Sequence, residues 1–221
     1  MQDIYANSQV RLSSFEVSKV LRNTYALLAM TLAWSAVCAF TAMQFNLPYG
    51  ASMAMSFGAL GLVWFVLPRT ANSGAGIWVV FAFTGLLGAG LGPILNHYLA
   101  TASGSAIVAQ ALGGTALIFF GLSGYALVTR KDFSFMTGFL MTGILVAFIA
   151  GIANIFFQIP ALSLAVSSAF LLLSSGIILW ETSRIVHGGE TNYIMATTTL
   201  YISIYNVFTS LLHILGVMGD D

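Results

Sequence analysis

Ionisable side chains are rare in this chain, and those bordering its apolar stretches are the first place to look for chemistry. Glu181 and Arg184 stand three residues apart, a spacing that puts both on one side of an α-helix. At a rise of ~1.5 Å per residue, Glu181 falls near the far end of an apolar stretch that begins around residue 161. Such a carboxylate either has a functional task as a partly buried acid or forms half of an ion pair with Arg184 at the membrane boundary. The spacing leaves both open.

A second pattern follows directly. Asn192, Ala196, Thr199, Ser203, Asn206, Ser210 and His213 recur at alternating steps of four and three, which line one face of a helix from end to end. A polar face cannot lie against hydrocarbon cheaply, so it must turn toward other helices or a water-filled cavity. It reads either as an ion or proton path or as interhelical hydrogen bonding, at about 0.6 kcal/mol per bond on average.

Other chemistry finds little support. His97, His187 and His213 fall at different ends of the expected helices, and Cys38 is the single cysteine. No metal site and no disulfide framework can be assembled from them, and Cys38 reads as a small buried side chain. The sequence contains no Walker loop, dinucleotide fingerprint, nucleophile elbow or H-E-x-x-H motif. It points away from an enzyme, from catalytic residues and from any cofactor.

The elements that must hold these residues are set by where the charges fall. Of 221 residues only seven are basic and seven acidic, 6% in all, while 58% are hydrophobic. Ordinary globular chains carry about a quarter charged residues. A soluble domain, a disordered tail protein and a nucleic-acid binder are all excluded. Charge-free stretches run over 23–68, 70–129, 133–180 and 191–219. A crossing of a ~30 Å hydrocarbon core takes about 20 residues, so the stretches hold two, two, two and one spans. Asn46-Leu-Pro48-Tyr49 splits the first pair and Gln158-Ile-Pro160 the third, because proline cannot donate to a continuing helix. The expected spans are 22–44, 49–68, 76–96, 105–128, 134–157, 161–183 and 192–215. Lipid cannot satisfy a free backbone amide, so all seven are helices.

Arg11, Lys19, Arg22, Arg69, Arg130, Lys131 and Arg184 all fall in the amino-terminal tail or the second, fourth and sixth loops. The positive-inside rule then predicts a cytoplasmic amino terminus, with residues 1–21 as a cytoplasmic tail and 217–221 as a tail on the far side. The leading residues are polar and carry no apolar signal region. The tail reads as mobile and open to a cytoplasmic partner. Trp64, Trp78, Tyr125, Trp180 and Tyr193 gather at the expected cytoplasmic ends as an aromatic belt, whereas Trp34 falls mid-span and is expected inside the bundle. Gly88 and Gly92 on the third span, and Gly143, Ala147 and Gly151 on the fifth, form four-residue ladders suited to close helix packing. Pro93 is expected to kink the third span.

The run Glu181-Thr-Ser-Arg-Ile-Val-His-Gly-Gly-Glu-Thr-Asn-Tyr193, continued by Ala196, Leu200-Tyr201, Asn206, Leu211-Leu212 and Leu215-Gly216, resembles the carboxyl-terminal signature of the Bax inhibitor-1 (TMBIM) family. Leu91-Gly-Pro-Ile-Leu-Asn96, Ala111-Leu-Gly-Gly-Thr-Ala116, Thr129-Arg-Lys-Asp132, Ala153-Asn-Ile-Phe156 and Lys19-Val-Leu-Arg-Asn-Thr-Tyr25 extend the likeness over nearly the whole chain. The resemblance implies an all-α seven-transmembrane-helix bundle of the Bax inhibitor-1 type in the bacterial inner membrane. It also implies two functions. One branch of the family binds and modulates or inhibits FtsH, the membrane-anchored ATP-dependent protease, and can itself be degraded from the cytoplasmic tail. Other members resemble pH-sensitive calcium leak channels, in which aspartates on helices six and seven share a proton-sensitive contact. Here the helix-six position is Glu181, which keeps the carboxylate, and the helix-seven position is Ser203, which does not. A shared proton needs two acids, so the expectation favours the protease modulator, with a calcium or proton leak as the alternative. In that alternative Glu181, Arg184, Thr199, Ser203, Asn206 and His213 are the sensing or path-lining residues.

Overall fold

Backbone amides inside hydrocarbon must find their partners within the chain, and each apolar stretch meets that demand as helix. The computed structural model describes residues 14–219, with seven helices long and apolar enough to cross a membrane. Among the described residues there is no strand. The helices are α1 (Ser14–Gln44), α2 (Tyr49 to Thr70), α3 (Ala75–Leu99), α4 (Gly104–Thr129), α5 (Thr137–Phe157), α6 (Pro160–Val186) and α7 (Tyr193–Gly219). Helix α1 begins well ahead of residue 22, so the described part of the expected tail is helical. Residues 1–13 and 220–221 lie outside the described residues.

The breaks follow local chemistry. Pro48 caps α2 in extended conformation and Pro160 opens α6, where a missing N–H is harmless. Arg130 and Gln158 cap α4 and α5 with left-handed φ values of 49° and 51°, turning the chain out of the helix. Within α2, Pro68 has no N–H for the preceding turn, and the ladder widens to a π-helical turn over Leu62–Val66. The Arg69 guanidinium and the Thr70 hydroxyl then donate to the Phe65 and Val66 carbonyls. Pro93 does not end α3, which continues to Leu99. Beside it, the Ser52 hydroxyl of α2 donates to the Gly90 carbonyl.

Helix α7 is central and packs against α6, α4, α1 and α3; α2 packs on α3 alone and α5 on α6 alone. Phe83, Ile178, Leu200, Tyr201 and Val207 fill the main core. The α1–α3 pairing is close because α3 presents glycines. A methyl group on Gly88 would stand 2.3 Å from the Ser35 carbonyl oxygen, and one on Gly92 would stand 2.6 Å from Ala42 Cβ. The α5 ladder faces α6 more loosely. A methyl on Gly143 would meet the flexible end of Leu173 at 2.5 Å, Ala147 is buried, and Gly151 leaves an ordinary 3.6 Å to Val166.

Two tryptophans differ from the sequence expectation. Trp34 is not inside the bundle but 44% exposed on its flank. Its indole N–H donates to the Phe81 carbonyl at 3.1 Å, reaching across because Gly85 has no side chain in the way. With its one polar atom satisfied, the rest of the ring suits lipid. Trp64, Trp78 and Tyr125 are exposed, but Trp180 leaves the expected belt; it is buried and donates to the Thr137 hydroxyl at 2.8 Å. Cys38 is half-buried.

Candidate functional site

Near the end of α6, Glu181 is fully buried while Arg184, one turn on, keeps its side chain 31% exposed. Arg184 Nη1 donates to Glu181 Oε2 at 2.9 Å, and Nη2 reaches Glu190 Oε2 at 3.2 Å and the Gly189 carbonyl at 3.4 Å. The guanidinium also lies 4.5 Å over the Trp180 ring. The arginine thus holds an acid of the core with one nitrogen and an acid of the sixth loop with the other. Glu181 Oε1 has no hydrogen-bond partner among the described residues. Of the two sequence readings of Glu181, the structure shows the ion pair, on one oxygen, and leaves the other oxygen buried without a partner among the described residues.

The surrounding loops are fastened to the same end of α6. The Ser183 hydroxyl donates to the Lys131 carbonyl at 2.9 Å and accepts the Phe133 amide at 3.2 Å. His187 directs its ring nitrogens at the Ser183 and Arg130 carbonyls, at 2.8 and 3.0 Å. Asp132 accepts the Ser134 amide at 2.8 Å, and that hydrogen bond holds its carboxyl below the usual carboxylate range. Asn192, expected as the first member of the polar face, is instead the cap of α7. Its Oδ1 accepts the Ile194 and Met195 amides, and its Nδ2 reaches across to Ala71 and Asn72 in the second loop. A helix start needs such an acceptor more than a channel needs an amide there.

The remaining stripe is only partly a network. Ser203 is buried and donates to the Thr199 carbonyl of its own helix at 2.8 Å. Thr199 and Asn206 are half-buried. His213 alone of the named residues bonds another helix, with Nδ1 2.9 Å from Ser167 Oγ and Nε2 3.3 Å from Ser163 Oγ of α6. Glu181 and Arg184 meet each other, but no bond joins them to Thr199, Ser203, Asn206 or His213. Among the described residues no three His, Cys, Asp or Glu gather as metal ligands.

The other interhelical bonds of α7 run along its opposite face, outside the four-three spacing of the stripe. The Tyr201 phenol lies 2.6 Å from Ser35 Oγ and donates to the Thr84 carbonyl at 3.2 Å, joining α7, α1 and α3. Thr197 donates to the Thr24 carbonyl at 3.2 Å. Thr182 lies 3.3 Å from both Tyr25 OH and Ser123 Oγ, joining α6 to α1 and α4. The available signal was the mid-span phenol of Tyr201, whose O–H must find a partner in hydrocarbon.

A seven-helix membrane bundle whose polar groups converge on the ends of α6 and α7 is the class that fold and site define. Residues 17–220 match the family described as inhibitor of apoptosis-promoting Bax1, and the chain belongs to that family. It is 53% identical, over the full length of both chains, to the "Modulator of FtsH protease YccA" of Escherichia coli K12 and to the "Inner membrane protein YccA" of E. coli O6:H1. It is also 51% identical over 206 residues to an uncharacterized protein of Pseudomonas aeruginosa, covering 93% of this chain and 92% of the other. The chain is a multi-pass protein of the inner membrane.

Proposed function

We propose that the protein binds FtsH in the inner membrane and restrains it, acting without catalysis of its own. The observation that carries this reading is the 53% identity, end to end, with a relative named for modulating that protease. The geometry agrees with such a role. Loops two, four and six are tied through Asn192, Ser183, His187 and Arg184 to the ends of α6 and α7, giving one end of the bundle a firm surface. The basic residues among the described ones are all at that end, which the positive-inside rule assigns to the cytoplasm. There a soluble protease domain can meet it and engage residues 1–21 as a degradation handle.

Affinity capture of the full chain from cross-linked membranes should recover FtsH, and removal of residues 2–13 should lengthen the protein's lifetime without abolishing contact. Absence of the protease from the cross-linked capture would overturn the proposal.

One observation favours a second reading. The unpartnered Glu181 Oε1 in the core is a site at which a proton or calcium ion could be held on a leak path. Ser203, bonded within its own helix, offers no second acid to share a proton. Calcium or proton flux into liposomes, altered by Glu181→Gln, would support this reading; flux equal to that of empty vesicles would reject it.

A further inference from the structure

Helices α1 and α4 face each other across α7 with their backbones held apart; no pair of their Cα atoms closes to 8 Å. Between them is a groove of about 690 Å³, within the ~300–1,000 Å³ range of ligand pockets. Ala29, Ala36 and Phe40 form one wall and Leu112, Ala116 and Phe120 the other, all exposed. Buried Phe208 and Ile204 of α7 form the floor. Both walls belong to membrane-crossing segments, so the groove opens sideways onto acyl chains rather than onto water. Along α1 its lining runs from Tyr25 to Met43, roughly 27 Å at helical rise, or most of a ~30 Å hydrocarbon core.

The tail-side end of the groove carries charge. Tyr25 and Phe119 bridge the two helices there, with ring centroids 5.9 Å apart. Arg22 stands one turn beyond Tyr25, on the helix line that continues through Ala29, Ala36 and Phe40. It is exposed and makes no ion pair with any described residue. Four antiparallel crossings bring the end of α4 to the same side, where Arg130 and Lys131 are exposed but stand well beyond Phe120, the last α4 residue of the groove lining. The acids nearby are Asp132, whose carboxylate accepts the Ser134 amide, and Glu16, nearly two turns before Arg22 on α1. An apolar slot with Arg22, a cation unpaired among the described residues, one turn beyond its end is complementary to a chain that ends in a phosphate.

We propose that this groove binds one anionic glycerophospholipid from the tail-side leaflet, an acyl chain lying over Ile204 and Phe208 and the phosphate held by Arg22. The site is independent of the protease reading. An uncharged transmembrane helix of a partner would make no use of the cation, and a zwitterionic lipid would use it less.

Native mass spectrometry of the full-length protein, from micelles holding equal phosphatidylglycerol and phosphatidylethanolamine, tests this. The unsubstituted protein should retain one phosphatidylglycerol. Arg22→Gln should lower its preference over phosphatidylethanolamine about fivefold, as expected for one basic residue at a membrane surface. Ala36→Trp, which fills the groove from an exposed position, should abolish retention, while Leu145→Trp on the outer face of α5 should leave it intact. Arg22→Gln, a surface replacement, gives the readout even where the tryptophan variant fails to assemble. Equal retention of both lipids, an undiminished preference in Arg22→Gln, or equal loss in Leu145→Trp would overturn the proposal. So would a change in oligomeric mass in Ala36→Trp with lipid retention unaltered, which would make the occupant a second copy of the chain.

Discussion

Helices α5 and α7 invert the logic of a soluble protein. Helix α5 belongs to the most hydropathic of the seven spans, yet only 11% of its most apolar stretch is buried and it packs on α6 alone. Helix α7 carries Thr197, Thr198, Ser203 and Ser210 among its buried residues, and half of its most apolar stretch is buried. In water the more apolar helix would occupy the centre. In lipid an apolar side chain gains nothing by leaving the hydrocarbon, whereas a hydroxyl or carboxylate gains a partner by turning inward. Packing and hydrogen bonding therefore decide which helix is central.

Truncation should separate the two helices most sharply. Tyr201→Ala removes a fully buried ring of α7 together with its bonds to Ser35 and Thr84, and should cost about 3–5 kcal/mol in detergent unfolding. Phe148→Ala on the lipid face of α5 should cost less than about 0.5 kcal/mol. Equal losses would break the comparison. Next in size is Arg184→Ala, which leaves Glu181 buried without its cation. The arginine is partly open to solvent, so the expected loss is about 2 kcal/mol, below the range for a fully buried pair. Arg184→Lys should recover only part, because one ammonium cannot span Glu181 and Glu190 as the guanidinium does. Tyr201→Phe keeps the ring and loses the hydroxyl bonds, and should cost about 1 kcal/mol.

The smallest effect lies outside the membrane. The Asp132 carboxyl is held below its usual range by the Ser134 amide. A depressed folded-state pKa contributes stability above the unfolded value, lost as pH falls through the folded value. Exchange protection at the Ser134 amide should therefore persist at neutral pH and fade below about pH 4. Asp132→Asn should remove that acid limb while leaving α7 unaffected.

The seven helices were legible because four charge-free stretches and two proline turns leave few other ways to divide the chain. The family was legible from the run ending at Tyr193 and its continuation in α7. The detail of the site was less so, and particular residues explain why. Helical spacing puts Glu181 beside Arg184 in any helix, but it cannot reveal that Glu190 will return through the sixth loop to share the same guanidinium. Asn192 fits the four-three spacing of α7, yet the unsatisfied amides of a helix start claim its side chain. Trp34 sits mid-span in sequence, and only the gap left by Gly85 on another helix lets its N–H be satisfied from the lipid side. Tyr201 lies on the opposite side of α7 from the Asn192–His213 line, on the face where α1 and α3 supply partners. Each of these depends on what a second helix presents, which periodicity within one helix does not record.

The central claim is tested most directly by reconstitution. FtsH should be placed in proteoliposomes with and without an equimolar amount of this protein, and degradation of a membrane-protein substrate followed over time. The protein should slow proteolysis while the protease's ATP hydrolysis continues, with the two proteins recovered together after detergent extraction. An unchanged degradation rate, with no joint recovery, would contradict it.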